Sequence, residues 1–278
     1  MHKAITAALA AASIIALGAC NKQATSNEAA ANGNASAPAA AGGINGTWKA
    51  DLSTVQIDQK PDQLLLKDGK YSCLSCNPPI EVAADGAFHP FKGSAYSDSM
   101  AVKVVDDHTV TRTSQKAGKP TGETTMTVSA DGNTLTGSFK DMTTPTPVTG
   151  KYTETRVAAA PAGAHAISGS WKPAKIDTVS DEGLVTTFNL EGDTLHMSTP
   201  AGVSYAAKLD GTDAPIQGDP GHTVASVKKL NDNTYQETDK RDGKVVGIAT
   251  MTLADGKMNV VFEDKRQGST TKYTATKE

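Results

Sequence analysis

In the last hundred residues apolar and polar positions alternate with a period of two. Leu184, Thr186, Phe188 and Leu190 interleave with Val185, Thr187 and Asn189, and Val203, Tyr205, Ala207 and Leu209 with Ser204, Ala206 and Lys208. That period puts one set on each face of a β-strand, so one face is apolar. Strand-like runs follow over 222–229, 234–240, 244–253, 257–265 and 270–276. Between them stand Asp242-Gly243, Asp255-Gly256 and Gln267-Gly268, residues that tolerate the positive φ of hairpin turns. The pattern contains no convincing helix and predicts an all-β antiparallel meander. Such a meander buries its edges by closing into a barrel or by packing face to face as a β-sandwich.

The same pattern occurs twice. Gly46-Thr47-Trp48-Lys49 returns as Gly169-Ser170-Trp171-Lys172, and Asp85-Gly86, Pro90 and Gly93 return as Asp210-Gly211, Pro215 and Gly218. Met126-Thr127 matches Met251-Thr252, Ala130-Asp131-Gly132 matches Ala254-Asp255-Gly256, and Tyr152-Thr153 matches Tyr273-Thr274. Order and spacing hold over both copies, which is the mark of a tandem duplication. The sequence therefore divides into a first β-domain at 45–157, a small-residue linker at 158–167 and a second β-domain at 168–278.

Composition supports a core and narrows the function. Hydrophobic residues make up 38% and aromatics 5% of the 278 residues, and the net charge is -3. This lacks the basic footprint of a nucleic-acid binder. Asp85, Asp131, Asp210, Asp242 and Asp255 each precede Gly and are accounted for as turn residues. The six histidines show no metal-ligand or base–nucleophile spacing, and neither H-E-x-x-H nor G-x-S-x-G occurs. The expectation is a protein with no catalytic residues, no metal and no cofactor.

Residues 1–19 have the layout of a signal peptide: Lys3, then an apolar run from Ala4 to Leu17 too short for a membrane span. The run ends in Leu17-Gly18-Ala19-Cys20, which resembles the lipobox of bacterial lipoproteins. That resemblance implies acylation of Cys20, with palmitate-type chains anchoring the protein in a membrane. Asn21, rather than Asp, follows the cysteine, which in that family favours the outer membrane, here facing the periplasm. Positions 20–44 hold almost no large apolar residue and read as a tether.

Gly-x-Trp at the head of a meander of eight or so strands resembles the lipocalins and calycin-like barrels, and bacterial envelope proteins of lipocalin-like type. In that family the Trp closes one barrel end under an Arg from the last strand, a place that Lys277 takes in the second copy. The resemblance implies closure roles for Trp48 and Trp171 and, as the cations, Arg156 and Lys277. It also implies a small hydrophobic ligand inside the barrel, with Leu184, Phe188, Leu195, Met197, Tyr205 and Leu209 lining or filling the second copy. The alternative is a structural or protein-interaction module of the cell envelope with filled barrels and an envelope protein as partner.

Cys73 and Cys76 remain. In an oxidising envelope they are expected to form a disulfide. A thioredoxin-like redox centre would need Cys73 at a helix N-terminus, whereas Pro78-Pro79 after the pair and the strand-like run before it argue for a turn. The duplicate carries Met197 and Pro200 at the corresponding positions, so the same turn forms there without cysteines. A staple on the first copy is the preferred reading.

Overall fold

The computed structural model describes residues 43–278; the expected signal peptide, Cys20 and most of the expected tether lie outside the described residues. The described chain is almost entirely antiparallel strand. The first ten strands are β1 (Gly46–Asp58), β2 (Asp62–Lys67), β3 (Lys70–Cys73), β4 (Ile80–Ala83), β5 (Asp85–Pro90), β6 (Ser99–Val104), β7 (Thr109–Lys116), β8 (Lys119–Val128), β9 (Thr134–Asp141) and β10 (Val148–Ala158). The next are β11 (Gly169–Val179), β12 (Val185–Glu191), β13 (Thr194–Ser198), β14 (Ser204–Lys208) and β15 (Asp210–Pro215). They are followed by β16 (Val224–Asn231), β17 (Thr234–Arg241), β18 (Lys244–Ala254), β19 (Lys257–Asp264) and β20 (Ser269–Lys277). A single four-residue turn of helix, α1 (Asp181–Leu184), precedes β12. Among the described residues no helix is long and apolar enough to cross a membrane.

The strands form two near-closed, barrel-shaped antiparallel sheets of ten strands each, ordered β4-β3-β2-β11-β10-β9-β8-β7-β6-β5 and β14-β13-β12-β1-β20-β19-β18-β17-β16-β15. We call them barrel one and barrel two. In barrel two the seam is stitched where Ser204 and Gln217 exchange backbone hydrogen bonds, Gln217 N–H to Ser204 O at 2.8 Å and Ser204 N–H to Gln217 O at 3.2 Å.

The barrels do not coincide with the sequence copies. Strand β1, from the first copy, lies in barrel two between β12 and β20, and β11, from the second copy, lies in barrel one between β2 and β10. Each copy thus contributes ten strands and exchanges its first. The reason is local: only residues 159–168 separate β10 from β11, so the two close as an antiparallel pair at little loop entropy. Their register runs from Gly150 opposite Val179 to Ala158 opposite Ser170. β11 then occupies the place β1 would have taken, and β1 takes the equivalent place in barrel two.

Asp-Gly turns behave as their sequence dictates. Asp85, Asp131 and Asp210 accept the backbone N–H two residues on, at 2.9, 3.1 and 2.8 Å. Side-chain hydrogen bonds from His89 to Asp85 and from Ser129 to Asp131, then these backbone bonds, hold those two carboxyls below the usual range, and the Thr212 N–H leads in doing so for Asp210. Asp242 and Asp255 take φ of 49° and 51° in the hairpins they begin.

Candidate functional site

The Gly-x-Trp segments build the same device in both barrels. Trp48 donates its indole N–H to Ile44 O and Trp171 donates its own to Ile167 O, both at 2.8 Å. Both rings are buried, at 4% and 0% exposure. Strand exchange determines which cation covers which ring. Arg156 stands opposite Trp171, with its Cζ 4.0 Å from the ring centroid, and Lys277 stands opposite Trp48, with Nζ at 5.3 Å. Each tryptophan is therefore covered by the cation of the other copy. Glycine is required two positions before the ring for the same reason. Gly46 and Gly169 take φ of +127° and +124°, and a Cβ there would run into the Lys277 side chain and into Arg156 Nη1.

Arg156 does more than stack. Its guanidinium donates to Ser168 O at 2.5 Å, to Ala166 O at 2.7 Å and to Gly132 O. Lys277, at the equivalent position, stands over Trp48 at the longer distance of 5.3 Å.

Of the six residues expected to line or fill a cavity in the second copy, Leu184, Phe188, Leu195, Met197 and Tyr205 are buried, and Leu209 is partly buried against the same core. Leu184 sits in α1 rather than at the start of the strand, which begins at Val185. Leu184 and Phe188 face a space of about 20 Å³ with Trp48, Met251, Tyr273 and Ala275. That is room for one water. Tyr205 donates its hydroxyl to the buried Glu237 carboxylate at 2.8 Å. Outside the barrel, at the β14–β15 seam, a cleft of about 450 Å³ is lined by Thr187, Asn189, His196, Ser198, Ser204 and Gln217 among others. Met197, Tyr205, Ala206 and Pro215 complete its lining, so the cleft mixes apolar and hydrogen-bonding groups, and two of the six expected ligand-lining residues border it.

Barrel one holds a charged cluster that the sequence reading missed. Arg112, Glu154 and Asp62 come from β7, β10 and β2, and Arg112 Nη1 donates to the hydroxyl of Tyr71 at 2.7 Å. Arg112 Nε is buried with no hydrogen-bond partner. Glu154 is only 4% exposed. Loss of hydration pushes its carboxyl up to about 8, the Asp62 charge adding to the rise and Arg112 opposing it. Asp62 is likewise pushed up to about 6 by burial, against the pull of Ser75 and Arg112. Tyr152, buried beside them, has its phenol raised by burial and by Glu154. The signal lay in strand parity: Arg112 follows the buried Val110 by two, and Glu154 follows the buried Tyr152 by two. In barrel two the registers equivalent to Arg112 and Glu154 carry Glu237 and Ala275, so the two interiors have diverged chemically.

Cys73 ends β3, and the turn after it leads to β4, as the two prolines imply. The Cys73 and Cys76 Cα atoms are 5.4 Å apart, within the span of a disulfide, and the two residues are paired. Leu64 lies opposite Cys73 as Phe188 lies opposite Met197, so Met197 stands where Cys73 stands in the other copy. Among the described residues no group of three or more His, Cys, Asp or Glu side chains is placed to hold a metal ion. The fold and these sites define a twin antiparallel β-barrel with strand-exchanged halves. Comparison with protein-family models, with curated proteins and with solved structures found no match.

Proposed function

We propose that the chain is a non-enzymatic lipoprotein of the cell envelope, anchored through acylated Cys20 in the outer membrane, whose packed barrels act as an interaction module for another envelope protein. The observation that supports packed barrels over a hydrophobic carrier is that the space beneath Trp48, bordered by Leu184 and Phe188, is only about 20 Å³, whereas the cleft of about 450 Å³ beside Met197 and Tyr205 is an open surface cleft at the seam. A lipid-like ligand needs several hundred Å³. The lipid anchor rests on the Leu17-Gly18-Ala19-Cys20 motif. In this reading the Cys73–Cys76 bond forms in the oxidising envelope.

Native mass spectrometry of the lipid-free chain from Gly43 onward, purified from a periplasmic host, tests the proposal. The expected result is the bare polypeptide with one disulfide. Co-purification of a hydrophobic small molecule that survives desalting would overturn the packed-barrel reading in favour of a carrier.

A further inference from the structure

The loop that joins β3 to β4 brings a disulfide, a hydroxyl and a carboxyl into one line. Cys73 is buried at 3% exposure, whereas Cys76 is only partly buried. Ser75 Oγ lies 3.7 Å from Cys73 Sγ and donates to Asp62 Oδ1 at 3.1 Å, while accepting the Gln63 N–H at 3.0 Å. Asp62 belongs to the charged cluster, and the groups facing it are Arg112 from β7, Glu154 and Tyr152 from β10, Tyr71 from β3, and Gln59 from the preceding turn. The equivalent positions in barrel two, Thr186, Met197 and Pro200, carry neither the carboxyl nor the sulfurs. Disulfide and carboxyl therefore occur together in one barrel and are both missing from the other.

We infer that Cys73–Cys76 is a thiol-exchange site for a dithiol reductant, in which Ser75 and Asp62 deliver the proton that the buried Cys73 sulfur needs to leave. One thiolate of the reductant attacks Sγ of Cys76, the less buried residue of the pair. The Cys73–Cys76 bond breaks, a mixed disulfide forms, and Cys73 leaves with the electron pair and takes the Ser75 hydroxyl proton, which the protonated Asp62 carboxyl replaces by reversing its hydrogen bond with Ser75. The second thiol of the reductant, deprotonated to solvent, then attacks the mixed disulfide. Cys76 is released and protonated by solvent, the protein gains two electrons, and the dithiol is oxidised to a disulfide. A buried thiolate beside an ionised carboxylate would be opposed by both desolvation and like charge, which is why the proton matters here. The partly buried Asp62 stands at the rim and can recover its proton from water.

Reduction by dithiothreitol of the folded chain from Gly43 onward, followed by alkylation and mass measurement from pH 5 to pH 8, tests the site. Rates are divided by the concentration of dithiothreitol thiolate, so that only the protein's own titration remains. The expected outcome is a normalised rate that falls at least about tenfold as Asp62 ionises, with circular dichroism unchanged. Ser75→Ala should be slow and level with pH, and Asp62→Asn should also be level. A wild-type normalised rate level across that range would overturn the proposal, as would reduction that proceeds only at the rate of global unfolding. So would a Ser75→Ala variant that keeps the wild-type profile, and that variant decides the matter should Asp62→Asn fail to fold.

Discussion

Arg156 and Lys277 occupy equivalent positions and perform unequal work. Arg156 covers Trp171 and ties together the carbonyls of Gly132, Ala166 and Ser168, while Lys277 sits more distantly over Trp48. Substituting Arg156 by Ala should cost about 2 to 3 kcal/mol, and substituting Lys277 by Ala about 0.5 to 1 kcal/mol, measured by denaturant unfolding. Equal losses would remove the structural role assigned to the three carbonyls. The carboxyls inside barrel one have a different signature. Both Glu154 and Asp62 are held above their ordinary range, so folding favours their protonated forms. That stability is fully present below the ordinary carboxylate range and is lost as pH rises through about 6 for Asp62 and about 8 for Glu154. The wild-type Tm should therefore decline between pH 5 and pH 9, by roughly 5 °C or more. Glu154→Gln, neutral at every pH, should flatten the upper part of that decline. A wild-type Tm that rises over this interval would contradict the environment described for Glu154.

At the scale of the element, the exchanged strands make a prediction that an unexchanged arrangement reverses. Trp48 belongs to the first sequence copy but packs among Leu184, Phe188, Met251 and Tyr273 of barrel two. Trp48→Ala should cost about 3 to 5 kcal/mol. Its loss of hydrogen-exchange protection should appear in β12 and β20, while β2 to β9 stay protected. Loss confined to β2 and β10 would place β1 in the wrong barrel. Most strands were legible from the sequence. The runs at 234–240, 244–253, 257–265 and 270–276 differ from β17 to β20 by no more than one residue at either end. A two-residue period with Asp-Gly punctuation reports strand and turn directly. Partner choice leaves no such trace, because Gly46-Thr47-Trp48-Lys49 and Gly169-Ser170-Trp171-Lys172 present the same faces to either barrel. The 158–167 segment reads as a domain boundary by composition, whereas its shortness makes it the turn between paired β10 and β11. The charged cluster was hidden because Asp62, Arg112 and Glu154 are far apart in sequence and meet only once the registers are set.

Across the whole molecule, exchange makes each barrel incomplete without the other copy. A protease nick within 159–168 should leave the two fragments associated on size-exclusion chromatography, separating only in denaturant, since β1 and β11 each remain bonded on both sides. Fragments that part in native buffer would show that the exchanged strands contribute little. Further ties between the barrels would resist such parting: Tyr96 donates its hydroxyl to Asp219 at 3.0 Å, Thr146 N–H to Ala201 O at 3.0 Å, and Asn77 its amide to Arg266 O at 3.1 Å. The exchange also sets how tension would travel. Trp48 lies opposite Lys277, and the Glu278 N–H donates to Thr47 O at 2.9 Å, so the start and the end of the described chain lie side by side on barrel two. A pull on the chain ahead of Gly43, directed along β1, meets the ladders to β12 and β20 in shear, many bonds loaded together, because ladder bonds stand perpendicular to the strand. Barrel two is then the mechanical mount, and barrel one, though it is written first in the sequence, is the freight it carries.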